Sequence, residues 1–198
     1  MSEFVSLIHG ARRLYLLTPN RSWMGEFAEY LQQNGVTRVS TFEWSGAFIR
    51  GLQLRDAPRY AEELLREYRL AQAAGGTLSI VAKSLGALIA ERAIVMLARE
   101  IRIRLFLRVG VPDLRTTIPI SGVSRIVNVT SDCDRLYRYG LLIVPRYLDD
   151  TAVASREPIT EIRLPRLSHA GLTRCTHLSG ASQEETTYSL YRRLLSNA

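Results

Sequence analysis

Lysine is almost missing from this chain: one, Lys83, stands against 25 arginines. Proteins that bind nucleic acid through basic charge gather it into blocks or a recognisable motif. Here the arginines are scattered, and the longest runs are pairs such as Arg12-Arg13 and Arg192-Arg193. The formal net charge of +7 therefore reads as compositional bias, and no nucleic-acid partner is expected. Cysteine is nearly as scarce. Cys133 and Cys175 are too few for a disulfide framework and lack the partner spacing of a metal site. No metal and no cofactor are expected, and reduced thiols fit a cytoplasmic protein. No apolar run reaches the ~18 residues of a membrane span. The start, Met1-Ser2-Glu3-Phe4, has no basic region leading into a long apolar one, so no secretory leader is expected.

What is present is ordinary for a globular protein, with 46% hydrophobic and 23% charged residues in 198. That length fits a single domain over 1–198 with one substantial core. No internal repeat or low-complexity linker divides it. The organising stretch runs from Thr77 to Arg99. An apolar, strand-like run, Leu78-Ser79-Ile80-Val81-Ala82, turns sharply through Lys83-Ser84-Leu85-Gly86 into an Ala-rich helical pattern. The spacing Ala82-x-Ser84-x-Gly86 is that of a nucleophile elbow, where small neighbours make room for a serine held in a strained turn. The helix that follows aims its first amides and its dipole at an oxyanion beside that serine. An ordinary strand–turn–helix with a surface serine is the competing reading.

The rest of the chain alternates strand and helix signals. Phe4 to Ile8 reads as a leading hairpin strand closed by His9-Gly10, and Arg13 to Leu17 as the first buried strand of the main sheet. Ser22 caps a helix over Trp23 to Gln33, with Met24, Phe27, Ala28 and Leu31 on one face. Val36 to Trp44 is the next strand. Ala57, Tyr60, Ala61, Leu64, Leu65, Tyr68 and Ala71 then mark a helix that ends at Gly75-Gly76. Further strands cover Ile103 to Arg108, Arg125 to Thr130 and Ile159 to Leu164. A capping box of Ser182 with Glu185 opens the final helix, whose buried face carries Tyr188, Tyr191, Leu194 and Leu195. This alternation implies an α/β fold: a doubly wound, mostly parallel sheet of about six strands with helices on both faces. Little sequence is left for a large cap; only Tyr137 to Pro158 could form a modest cover.

In its elbow, Ala82-Lys83-Ser84-Leu85-Gly86, and in the chain order serine, acid, histidine, the sequence resembles the α/β-hydrolase fold, specifically its small lipase- and esterase-like members. The resemblance covers nearly the whole length. It implies a carboxylesterase or lipase-like serine hydrolase acting on a small-molecule acyl ester through an acyl-enzyme. A catalytically silent member used for binding is the alternative. Catalytic groups of an open α/β sheet collect at the carboxyl ends of the strands. Ser84 follows one strand directly, Asp134 lies past the strand ending at Thr130, and His169 past the one ending at Leu164. Ser84 is then the nucleophile and His169 its base, with His177 as the competitor. Asp134 is favoured over Asp132 because the family places its acid three residues after a small strand-end residue, here Ser131. The Leu85 amide is one oxyanion donor. The family usually carries His-Gly at the end of the strand that supplies the second donor, whereas Arg13–Leu17 ends in Thr18-Pro19. His9-Gly10 precedes a different strand on this reading, and Pro19 has no N–H, so Asn20 is the expected donor. Lys83 either draws an anionic substrate to the pocket mouth or points outward as a solvated elbow residue. Trp23, with Trp44 and Phe48, either lines an acyl pocket or belongs to the core.

Overall fold

The first strand, β1 (Glu3–Ile8), is buried along its whole length. Parallel strands covered on both faces read as unbroken apolar runs, whereas a half-exposed hairpin strand alternates. Phe4-Val5-Ser6-Leu7-Ile8 is of the first kind, and its one polar side chain is satisfied by a 3.0 Å hydrogen bond between Ser6 Oγ and the Tyr60 hydroxyl. β1 pairs in parallel with β2 (Arg38–Phe42) on one side and β3 (Thr77–Lys83) on the other. It is therefore a central strand, and the hairpin expected over Phe4–Ile8 is not formed. Arg13 to Leu17 lies outside the residues described by this computed structural model, which are 2–10, 23–44, 50–111, 122–134, 159–168, 170–178 and 185–197.

Beyond β3 the sheet continues through β4 (Ile103–Val109), β5 (Val123–Ser131) and β6 (Thr160–Leu164), every described pair parallel. The strand order is β2-β1-β3-β4-β5-β6. The chain thus winds outward from β1 to β2, crosses back, and winds the other way from β3. Such a reversal leaves a crevice outside the carboxyl ends of the two strands that flank it, here β1 and β3.

Four helices among the described residues cover the sheet. α2 (Arg50–Ala73) and α3 (Gly86–Met96) close one face, packing Tyr60, Leu64, Ile89 and Ala90 on Ile8, Ile80 and Phe106. Ala87, Ala90 and Ala93 are fully buried. Side chains this small let α3 lie close to the sheet and hold its first turn rigidly behind β3. A buried ion pair, Arg108 Nη1 to Glu91 Oε1 at 2.8 Å, fixes α3 on β4. Burial pushes the Glu91 carboxyl up, and Arg108 draws it back down. α1 (Trp23–Gln33) and α4 (Thr187–Ser196) close the other face, with Met24, Phe27, Leu31 and Tyr191 against Leu7, Val81, Leu107 and Val129. Each such side chain contributes about 1.5–3 kcal/mol on full burial.

α4 begins later than the Ser182–Glu185 pattern predicts. Its capping box is Thr186 with Ser189: Thr186 Oγ1 accepts from the Ser189 amide, and Ser189 Oγ accepts from the Thr186 amide. Serine here does what glutamate usually does at that position, which is why the Glu signal misplaced the start. No helix among the described residues is long and apolar enough to cross a membrane.

Candidate active site

The β3–α3 turn lies at the reversal of strand order. Ser84 continues the β3–β4 ladder, its amide donating to Val109 O at 2.9 Å. The chain then breaks direction at once: Ser84 adopts φ 48°, in the left-handed region that a side chain makes unfavourable. Such strain persists only where the surroundings over-determine it. Ala87 N–H returns to Ser84 O at 3.0 Å, and α3 starts at Gly86. Its N-cap, Leu85, contributes no side-chain cap, so the first amides of α3 depend on other partners.

The small residues of the elbow make room for β1. A Cβ on Gly86 would lie 2.2 Å from His9 O, and one on Gly10 would lie 2.8 Å from Ser84 Cβ. His9-Gly10 is thus wedged directly against the serine turn. The reading that set this dipeptide aside is overturned, because β1 and β4 occupy both edges of β3. No edge of β3 is left for another strand, and the strand end beside the elbow is that of β1. The expected His-Gly stands at the end of β1. Arg13–Leu17, Thr18-Pro19 and Asn20 lie outside the described residues.

The His9 ring is buried and used structurally. It stacks on Trp44, with centroids 5.4 Å apart, and its Nε2 accepts from the Trp44 amide at 3.3 Å. Its Nδ1 then carries the proton and donates to Gly10 O. The Trp44 indole N–H donates to His9 O at 2.6 Å, fixing the carbonyl that Gly86 must clear. Trp44 is therefore core. Trp23 opens α1 on the carboxyl-end side of the sheet, half-buried and 6.1 Å from the Phe27 ring. Phe48 lies outside the described residues.

Past β5, Ser131 Oγ accepts from Leu167 N–H at 3.0 Å, tying the loop after β5 to the loop after β6. The Asp134 amide returns to Ser131 O at 3.1 Å. Asp134 is buried, whereas Asp132 is exposed. His169 lies outside the described residues, but both its flanks are held. Ser168 Oγ accepts from the Gly171 amide at 3.0 Å, and Ala170 O accepts from Thr173 Oγ1 at 3.2 Å. A short 3-10 turn, Gly171–Thr173, is bound to α4 by the Tyr191 hydroxyl on Leu172 O and the Tyr188 hydroxyl on Thr173 O. Burial pushes both phenols up, so both remain protonated donors. His177 is exposed and bridges Thr186 just before α4.

Lys83 does not point outward. It is half-buried, and its Nζ donates to Thr173 Oγ1 at 2.7 Å. Among the described residues no group of three or more His, Cys, Asp or Glu side chains could hold a metal ion.

No family profile and no curated protein matches this sequence. Solved structures do match over nearly its full length. A protein of Xanthomonas campestris pv. campestris placed in the α/β hydrolase superfamily aligns over 99% of both chains at 15% identity, with TM-score 0.54. Esterase PE8 aligns over 99% of this chain and 92% of its own at 12% identity, with TM-score 0.53. The RedJ thioesterase of prodiginine biosynthesis in Streptomyces coelicolor aligns over 98% and 88% at 14% identity, with TM-score 0.51. With its parallel strands in the order β2-β1-β3-β4-β5-β6 and helices on both faces, and with this likeness over nearly its whole length, the chain has the α/β-hydrolase fold.

Proposed function

We propose that this protein is a serine hydrolase of the carboxylesterase type, acting on small acyl esters through an acyl-enzyme on Ser84. The observation that carries this reading is the left-handed serine at the β3–α3 turn, pressed against Gly10 where the strand order reverses. A serine of no function has no reason to hold a strained backbone there. Two of the similar structures are named an esterase and a thioesterase, in line with acyl transfer.

In this reading His169 takes the Ser84 hydroxyl proton as the oxygen attacks the ester carbonyl. The Leu85 amide stabilises the oxyanion. The second donor comes from the start of the loop after β1, next to Gly10, rather than from Asn20. His169 then returns the proton to the leaving alcohol, and a water activated by the same ring releases the acid. Two observations favour His169 among the three histidines: His9 has both ring nitrogens on backbone groups, and His177 is exposed in its bridge to Thr186. Asp134, buried while Asp132 is solvated, is the carboxylate that orients the ring. Trp23 borders the acyl side from the start of α1. Each step moves a proton or an acyl group and calls on no cofactor.

Hydrolysis of p-nitrophenyl acetate and butyrate near pH 8 tests the reading. Wild-type protein is expected to turn over both, and Ser84→Ala neither; equal rates for the two proteins would refute it. Substrate size depends on what covers the site. The segment that could cover the site, Tyr137 to Pro158, lies outside the described residues and is too short for a large cap domain. Rates on tributyrin are expected to rise smoothly through its solubility limit. A sharp jump above that limit would reveal an interfacially opened lid.

A further inference from the structure

Lys83 is the only lysine of the chain, placed directly before the serine, and it spends its ammonium inside the protein. The end of β3 and the end of β6 are three strand spacings apart, roughly 14 Å across the sheet. Thr173 lies nine residues beyond Leu164, so the chain after β6 must fold back over the strand ends for Lys83 Nζ to reach it at 2.7 Å. The hydroxyl is correctly used from both sides: Thr173 Oγ1 donates to Ala170 O and accepts from Lys83. Two charged groups act on the ammonium, the Asp134 carboxylate from the loop after β5 and the Arg174 guanidinium from just past the 3-10 turn. The Lys83 side chain thus bonds the segment that follows His169.

We propose that Lys83 is a positioning residue of this site: its ammonium, hydrogen-bonded to Thr173, pins the histidine loop to the elbow that carries Ser84. The proposal rests on the hydrolase reading above. Ser131 Oγ ties the loops after β5 and β6 to each other, and Tyr188 and Tyr191 tie the 3-10 turn to α4. Among the bonds described here, Lys83–Thr173 joins the serine turn to the histidine loop.

Charge is part of this role. Burial lowers the Lys83 ammonium to about 8, with Asp134 opposing the shift and Arg174 adding to it. The positive charge is present at neutral pH and fades as pH rises through that value. Because the folded value lies below the ordinary lysine range, charged Lys83 costs stability at neutral pH. That cost is relieved as pH rises from about 8 toward the unfolded lysine value of ~10.4. A residue kept at such a cost is the pattern of function traded against stability.

The test compares wild type, Lys83→Met, Lys83→Arg, Thr173→Val and Thr173→Ser by turnover of p-nitrophenyl butyrate and by fluorophosphonate labelling of Ser84. Lys83→Met is expected to lower kcat ~10–100-fold with KM within about twofold, the scale of a small misplacement of catalytic groups. Its melting temperature at pH 7 should not fall. Wild-type kcat should decline above pH ~8, and Lys83→Met and Lys83→Arg should both lack that limb. Thr173→Val should lose several-fold in kcat, and Thr173→Ser should recover it. If wild-type Ser84 labels and Lys83→Met matches it in kcat across the whole pH range, the positioning role is refuted while the hydrolase reading stands. If wild-type Ser84 does not label at all, the hydrolase reading falls and the role of Lys83 with it.

Discussion

Replacing His169 with alanine is expected to lower kcat on a short ester at least ~10³-fold, as triad knockouts do when a base is lost. The Ser84 backbone amide donates to Val109 O on β4. A serine of ordinary acidity needs an external base, and only three histidines are available. His9→Ala should damage folding rather than chemistry, because the ring stacks on Trp44 and both its nitrogens bond backbone atoms. His177→Ala should leave kcat within about twofold, the ordinary consequence of a surface change. Asp134→Asn should cost far more than Asp132→Asn, since the first is buried beside the histidine loop and the second faces solvent. Turnover abolished by His177→Ala and untouched by His169→Ala would show that the base is misassigned. Steady-state kinetics on the five variants, with circular dichroism to check folding, decides it.

Gly86→Ala should be nearly as damaging by a different route. Its Cβ would sit 2.2 Å from His9 O and 2.9 Å from the His9 carbonyl carbon. Neither neighbour is a flexible side chain that can swing aside. The His9 carbonyl is held by the Trp44 indole, and β1 is locked between β2 and β3. Either the end of β1 or the first turn of α3 must move. Overpacking of this kind costs about 1–3 kcal/mol, and more where only backbone can yield. The Ser84 hydroxyl and the Leu85 amide move with that turn, so kcat should fall ~10²-fold or more even in folded protein. Urea denaturation gives the stability and ester turnover the rate. Wild-type values of both in Gly86→Ala would mean that β1 does not pass where it is placed here.

Much of this architecture can be read from residue pattern, and the largest departure traces to one strand. α1 was legible to the residue, because Met24, Phe27 and Leu31 recur at helical spacing and Asn34-Gly35 closes it. β3 and the elbow were legible because five apolar or small residues run straight into Lys83-Ser84-Leu85-Gly86. β1 was misread because His9-Gly10 looks like a hairpin turn, and a second apolar run follows at once. The run Phe4-Val5-Ser6-Leu7-Ile8 was the better signal, since near-continuous apolarity marks a strand covered on both faces. With Phe4–Ile8 read as a hairpin strand, the His9-Gly10 dipeptide falls away from Ser84 and the second oxyanion donor falls at Asn20. Lys83, whose direction the sequence leaves open between pocket mouth and solvent, is a different case. A lone lysine in a turn is ordinarily solvated, and only the folding back of the chain after β6 gives it Thr173 as a partner. Contacts between segments 90 residues apart leave no local trace in sequence.

The central claim is that Ser84 is chemically activated, and a fluorophosphonate tests it without knowledge of the natural substrate. The phosphorus centre mimics the tetrahedral acyl intermediate, so trapping needs both a base that removes the serine proton and donors waiting for the oxyanion. Protein treated near pH 8 and analysed by peptide mass spectrometry should carry one adduct per chain, located on Ser84 and absent from Ser84→Ala. Labelling should slow as pH falls through the histidine range, near ~6.5 for an unperturbed ring, because a protonated imidazole accepts no proton. Folded protein that stays unlabelled at Ser84 after long exposure would contradict the account and leave a hydrolase fold used for binding.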